Sequence, residues 1–338
     1  MAVADQVKDP APMGFLDQVR SFARPFWFAN LIELFERWSY YGVRAILSLY
    51  IVDAITRGGL EFNHIQKGTV YAWWAVIQSL LPMFTGGFAD RYGYKKSIAV
   101  SLSISISAYL LMAAQAAGFL KTGPAAFPLF FFACMMLATG TAIFKPGVQG
   151  TLVNSTNEQN SSLGWGFFYM LVNIGGFVGP WVSGYLRAME WKYVFVASAC
   201  FLAVNFFLLL GYKDIPVEKK EAIQHESALA GYIHGLKEFF EIIVVSVKNV
   251  FEPRLITFLL IFSGFWLMFM QLFDILPNFI DDWVNSSMVL TWLGTTFHHQ
   301  GFLQMGQSGQ NIPPEWMINL DAGSIVLFML PIAWLCGR

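Results

Sequence analysis

The chain has 338 residues, 56% of them hydrophobic, 17% aromatic and only 13% charged, with a mean hydropathy of +0.52. Soluble domains are nearer about one quarter charged, so a water-soluble enzyme is excluded and an all-α polytopic membrane protein is indicated. The net charge of −1 makes no case for nucleic acid, and Cys134, Cys200 and Cys336 lie in apolar runs without metal or redox spacing, as small buried hydrophobes do.

Residues 1–25 carry Asp5, Pro10, Pro12 and Asp17 and lack the apolar core of a cleavable signal. Within them Phe15, Val19 and Phe22 recur at helical spacing, predicting a short amphipathic helix on the membrane surface. A first span runs from about Phe26 to Val52, a second from Thr69 to Phe88, a third from Ile98 to Phe119, a fourth from Ala126 to Leu152, a fifth from Leu163 to Leu186 and a sixth from Trp191 to Tyr212. Residues 213–252 turn polar, and Leu229, Ile233, Leu236, Phe240, Ile243 and Val247 keep a four-three rhythm too short to cross, predicting an amphipathic linker helix. A seventh span is expected from Leu255 to Phe279, a loop rich in Gly, Gln, Asn and Ser from Asp281 to Glu315, and an eighth span from Trp316 to Cys336. The expected division is thus an N-terminal segment (1–25), a six-helix bundle (26–212), a linker (213–252) and an incomplete second bundle (253–338).

Lysine and arginine outside the spans set the orientation. Arg91, Lys95, Lys96, Lys213, Lys219, Lys220, Lys237 and Lys248 fall on one side, and Arg57, Lys67, Lys121, Arg187 and Lys192 on the other. The richer side is cytoplasmic and takes the N-terminus with it, in a plasma (bacterial inner) membrane.

The first span holds the least expected residues. Glu33, Glu36, Arg37 and Arg44 put four charges near its middle, at a cost on the order of 10 to 14 kcal/mol on insertion scales. Glu33, Arg37, Tyr40 and Arg44 step by four, three and four, so they form one helical stripe, flanked by Glu36 and Tyr41. Such a stripe belongs against other helices or a watery cavity, either as a functional site or as an ion-pair network that only fixes packing. Lys145, inside the fourth span, needs a carboxylate or must lose its proton, and Glu33 and Glu36 are the available partners in the first six spans. His298 and His299 have no third ligand at metal spacing, and no catalytic triad or phosphate loop is present; no metal and no cofactor is expected.

Gly86-Gly87-Phe88-Ala89-Asp90-Arg91-Tyr92-Gly93-Tyr94-Lys95-Lys96, between the second and third spans, resembles the signature loop of the major facilitator superfamily. Its Gly86 and Gly93 allow a close approach and a tight turn, and Asp90 with Arg91 can latch one conformation. The first-span run Glu33-x-x-Glu36-Arg37-Trp38-x-Tyr40-Tyr41-Gly42 is similar to that of the proton-dependent oligopeptide transporters within that superfamily. Phe168-Tyr169-x-x-x-Asn173-x-Gly175 in the fifth span and Lys145-Pro146 in the fourth agree with the same family. The resemblance implies a proton-driven importer of di- and tripeptides, working by alternating access as a monomer when complete. It assigns Glu33, Glu36 and Lys145 to proton coupling and places Arg37, Tyr40, Tyr41, Arg44, Lys145 and Asn173 around the substrate, with Arg44 or Lys145 on its carboxylate.

Two departures qualify the resemblance. Phe265-Trp266-x-x-Phe269-Met270-Gln271 matches the family's seventh-span motif, but Met270 stands where a glutamate faces the peptide's amino terminus. Gln271 keeps its place among the substrate-binding residues, and Asp274, at i+4 from Met270, is a candidate for the missing charge. The family has twelve spans where eight are expected here, which implies a fragment of a longer product. Two other functions stay open: a carrier of the same fold for another small anionic or amide-containing solute, and a fragment that transports nothing.

Overall fold

The computed structural model describes residues 14–214 and 251–336. Among them every regular element is helical: α1 (Phe15–Ser21), α2 (Arg24–Val52), α3 (His64–Tyr92), α4 (Tyr94–Ala116), α5 (Ala126–Asn154), α6 (Ser161–Met189), α7 (Trp191–Gly211), α8 (Pro253–Asp274), α9 (Leu276–Trp283), α10 (Ser287–Thr296), α11 (Gln300–Gln307), α12 (Pro314–Ile318) and α13 (Leu320–Cys336). The amphipathic linker helix predicted within 213–252 lies outside the described residues but for its ends.

Among the described residues five helices, α4 to α8, are long and apolar enough to cross a membrane by length and composition. At 29 residues each, α2 and α3 exceed the span of a bilayer but are not among those five. Helix α13 is strongly apolar but has only 17 residues. Eight spans are therefore not all supported by apolarity alone.

The described helices fall into two compact units, one made of residues 14–214 and those from Pro277 onward, the other holding α8. In the first unit α2 lies against α6 and α7, α4 against α5 and α7, and α3 against α5, while α12 and α13 rest on α6. Small residues make the α2–α6 contact close. A Cβ at Gly175 would sit 2.9 Å from the Leu34 carbonyl, one at Gly42 would sit 2.8 Å from Ser183 Oγ, and one at Gly179 would strike the Trp38 carbonyl. Gly175, Gly179 and Ser183 repeat every four residues, the spacing by which membrane helices bring their backbones together. Two polar bonds tie α2 to α7: Ser39 Oγ donates to the Ser198 carbonyl (3.0 Å) and Asn205 Nδ2 to the Ile32 carbonyl (3.2 Å).

Helix α1 departs from a purely surface role. Phe15 and Leu16 are exposed, but Phe22, just beyond its end, stacks on Phe26 at 3.9 Å inside the core, and Ser21 Oγ accepts from Asn160. A second correction concerns the predicted loop from Asp281 to Glu315, which holds two short helices, α10 and α11. Each is too short to cross a membrane, which hid them from a search for spans. Gly294 and Gly306 let them pack closely, His299 Nδ1 caps α11 by accepting from Phe302 N (3.2 Å), and Asn311 Oδ1 accepts from Ser286 N (2.8 Å). The predicted seventh and eighth spans are also broken, at Ile275 and at Asn319, whose side-chain amide donates instead to the Phe177 carbonyl of α6.

Two polar links join α9 and α12 to the six-helix part of their unit. Lys67 Nζ donates to Asn278 Oδ1 (2.7 Å), and Asn278 Nδ2 reaches the Ser48 carbonyl (3.4 Å). Arg187 grips Glu315 with two bonds, Nε to Oε1 at 3.0 Å and Nη2 to Oε2 at 3.2 Å, and Glu315 is fully buried. Burial pushes the Glu315 carboxyl above its ordinary 4.5, and Arg187 opposes that rise. A carboxyl raised in the fold binds its proton more tightly than in the unfolded chain, so its contribution to stability is greatest at or below 4.5 and declines as pH rises through the shifted value. Unfolding midpoints in detergent, measured from pH 4.5 upward, should fall for the wild type and stay flatter for Glu315→Gln; parallel curves would assign the dependence to another group.

Candidate functional site

The predicted stripe on α2 faces inward. Glu33, Glu36, Arg37, Tyr40 and Arg44 are all buried although α2 is itself a long, largely apolar helix. Arg37 Nε sits 2.5 Å from Glu36 Oε2 and 3.2 Å from Glu33 Oε1, so one guanidinium serves both carboxylates. The Glu33 contact is the i,i+4 pair that helical spacing predicts; the Glu36 contact is between chain neighbours. Burial makes this pairing obligatory, since an unpaired charge in such surroundings costs several kcal/mol.

Aromatic rings cover the cations. Arg37 Cζ lies 4.7 Å from the centre of the Tyr40 ring and 5.8 Å from that of Tyr41. Two turns beyond Arg37, Arg44 Cζ lies 4.1 Å from the Tyr71 ring and 5.5 Å from the Trp74 ring, both on α3. Tyr40 packs edge-on to Trp74 at 6.2 Å and donates its hydroxyl to Gln78 Oε1 (3.3 Å). Tyr71, Trp74 and Gln78 were not singled out in the sequence. Their three-four spacing marks one helical face, but it was masked by the surrounding Trp73, Val76 and Ile77.

Lys145 enters from α5. Its electrostatic neighbours are Arg37, Glu33 and Glu36, yet among the described residues no ion pair or hydrogen bond joins it to either carboxylate. The expected partnership of Lys145 with Glu33 or Glu36 is thus one of proximity in this structure, with Arg37 holding both acids. Tyr109, buried on α4, also lies within electrostatic reach of Glu36, Tyr40 and Arg37. Asn173 on α6 donates to the Tyr169 carbonyl of its own helix (2.8 Å), one turn from Gly176, where α6 approaches Tyr41.

Gln271 and Asp274 belong to the other compact unit. Gln271 Nε2 donates to the Leu267 carbonyl (3.0 Å), and Asp274 is the last residue of α8. Met270 sits on the same helix within an aromatic ladder in which Phe262, Phe265, Phe269 and Phe273 follow one another.

The predicted latch is a built turn. Asp90 accepts from the Tyr94 hydroxyl (2.8 Å), which in turn accepts from Asn154 Nδ2 (3.0 Å). Gly93 links α3 to α4 at φ +97°, and a Cβ there would meet Asp214 Oδ2 at 2.5 Å, so both conformation and space require glycine. Asp214 accepts from Lys95 N at 3.3 Å, and Lys95 Nζ donates to the Tyr212 carbonyl at 2.9 Å. Gly86 faces Pro146 of α5 at van der Waals distance, and Arg91 follows Asp90 in the last turn of α3.

The family model described as the Major Facilitator Superfamily matches residues 27–337. Among curated relatives, the uncharacterized transporter YclF of Bacillus subtilis (strain 168) is 28% identical over 64% of this chain and 44% of its own length. The peptide transporter YePEPT of Yersinia enterocolitica subsp. palearctica is 28% identical over 59% of this chain and 39% of its own. The dipeptide and tripeptide permease B of Photorhabdus asymbiotica is 27% identical over 60% and 38%. The chain therefore spans less than half the length of these curated relatives. In fold it is similar to a POT family transporter solved with a thioalcohol-conjugated peptide, at a TM-score of 0.60, 17% identity, and coverage of 94% of this chain and 72% of that one. A POT family transporter solved with 5-aminolevulinic acid gives a TM-score of 0.60 at 17% identity, covering 94% and 73%.

If Arg37 neutralises both acids, Arg37→Leu should destabilise the protein by about 3 to 5 kcal/mol by leaving two buried carboxylates unpaired. Adding Glu33→Gln and Glu36→Gln should recover most of that loss in denaturant unfolding. A single Arg37→Leu variant as stable as the wild type would contradict the pairing.

Proposed function

This chain belongs to the major facilitator superfamily, and on that premise we propose that it is a proton-coupled carrier of di- and tripeptides, working by alternating access. It is an integral membrane protein; the orientation proposed for it puts the N-terminus in the cytoplasm of a bacterial cell, and the working unit is a monomer.

The observation that carries the proposal is one buried cluster of charges. Arg37 bonds to both Glu33 and Glu36, and Lys145 lies within electrostatic reach of all three, so neither acid has a cation to itself. A peptide's carboxylate would bind there through charge-assisted bonds to Arg37, Arg44 or Lys145. Its arrival competes with Glu33 and Glu36 for those cations. A displaced glutamate left in dry surroundings takes up a proton, which links cargo to proton. Tyr40, Tyr41 and Asn173 would supply neutral contacts. In the same scheme Gly86, Asp90, Arg91 and Gly93 hold the cytoplasmic turn of one conformational state. The relatives named for peptide transport and the fold neighbours solved with a peptide and with 5-aminolevulinic acid support this class of cargo.

Met270 favours a second reading, in which the cargo is a small anion without a free amino group. Proteoliposomes carrying the protein separate the two. Under an inward proton gradient, dialanine uptake should exceed that of its amino-acetylated form, and Glu36→Gln should abolish the response to the gradient. Preference for the acetylated form would favour the second reading, and gradient-driven uptake surviving Glu36→Gln would remove Glu36 from the coupling.

A further inference from the structure

Three hydrogen-bond donors around the Tyr40 ring have no acceptor. Arg37 spends its Nε on the two glutamates, but its Nη2 is buried without a hydrogen-bond partner. Trp74 is 2% exposed, and its indole Nε1 is buried in the same condition. Gln78 accepts from Tyr40 with its amide oxygen and leaves its amide nitrogen buried and unbonded. These atoms are held on two packed helices: the guanidinium over the Tyr40 ring, the indole edge-on to it, and the amide at its hydroxyl.

A buried donor without an acceptor is costly, so three in one cluster are an expensive arrangement for packing alone. Indole and guanidinium nitrogens can only donate, so neither can serve as the other's acceptor. A water there would bring two hydrogens that need acceptors of their own. A carboxylate brings about four lone-pair sites and no hydrogens, so one carboxylate can accept from all three.

We propose that Trp74 and Gln78 on α3 are specificity-determining residues that, with Arg37 Nη2, bind the carboxylate end of the carried peptide. This rests on the peptide-carrier reading and adds to it a second wall, on α3, opposite the charged stripe of α2. Discrimination between a peptide acid and its neutral amide is then made by neutral donors as well as by the cations.

The test is uptake of dialanine and of its carboxy-terminal amide by proteoliposomes, the amide measured both directly and as a competitor. Trp74→Phe keeps a ring and removes the donor; Gln78→Glu keeps the shape and turns a donor into an acidic acceptor. Each should raise the half-saturating concentration of dialanine about tenfold, the scale of one hydrogen bond to a charged group, and leave that of the amide unchanged. Should Trp74→Phe fail to fold, Gln78→Glu carries the comparison. Dialanine unchanged, or acid and amide shifted alike, would overturn the assignment and leave the carrier reading standing. A wild type that takes up dialanine no better than empty vesicles would overturn both.

Discussion

A helix that carries two carboxylates and two guanidinium groups through apolar surroundings persists only where each charge finds its counterpart inside the fold. In α2 one residue meets most of that demand: Arg37 lies between Glu33 and Glu36, under the rings of Tyr40 and Tyr41. The rest of the first unit is arranged so that this stripe can face inward. Glycines on α6 bring its backbone against α2, α7 fastens α2 by two side-chain bonds to carbonyls, and α3 presents an aromatic face to Arg44. Remove the pairing and the same helix would carry uncompensated charge into the core.

Such a cluster is held and also poised. Arg37, Lys145, Glu33 and Glu36 lie buried within electrostatic reach of one another, so a change in the protonation of one acid bears on the bonds of its neighbours. Lys145 shows the point: it is within electrostatic reach of both glutamates while Arg37 makes the contacts. Other links, Arg187 with Glu315 and Lys67 with Asn278, tie α12 and α9 to the six-helix part.

Much of this was legible in the chain. The all-helical membrane fold followed from composition and long apolar runs, and the α2 stripe from the four-three-four spacing of Glu33, Arg37, Tyr40 and Arg44. The hairpin of α10 and α11 was not legible, because its stability comes from glycine contacts and caps and each helix is too short to register as a span. Nor were the breaks at Ile275 and Asn319, where an uninterrupted hydropathy pattern conceals a change of helix. Trp74 and Gln78 were overlooked for a related reason: an indole or an amide in an apolar span has no charge to draw notice, and only the position of its hydrogen-bonding atoms reveals the gap. The scarcity of acids in the first six spans paired Lys145 with Glu33 and Glu36 but could not say which cation would hold the acids.

Calorimetry of dialanine binding in buffers of different ionisation enthalpy measures the linkage between carboxylate and proton in one experiment. If the peptide carboxylate displaces Glu33 or Glu36 from its cation, binding takes protons from the buffer, and the observed heat changes with the buffer's ionisation enthalpy. Heat independent of the buffer would mean that no proton moves when the peptide binds, and would contradict coupling through the α2 stripe.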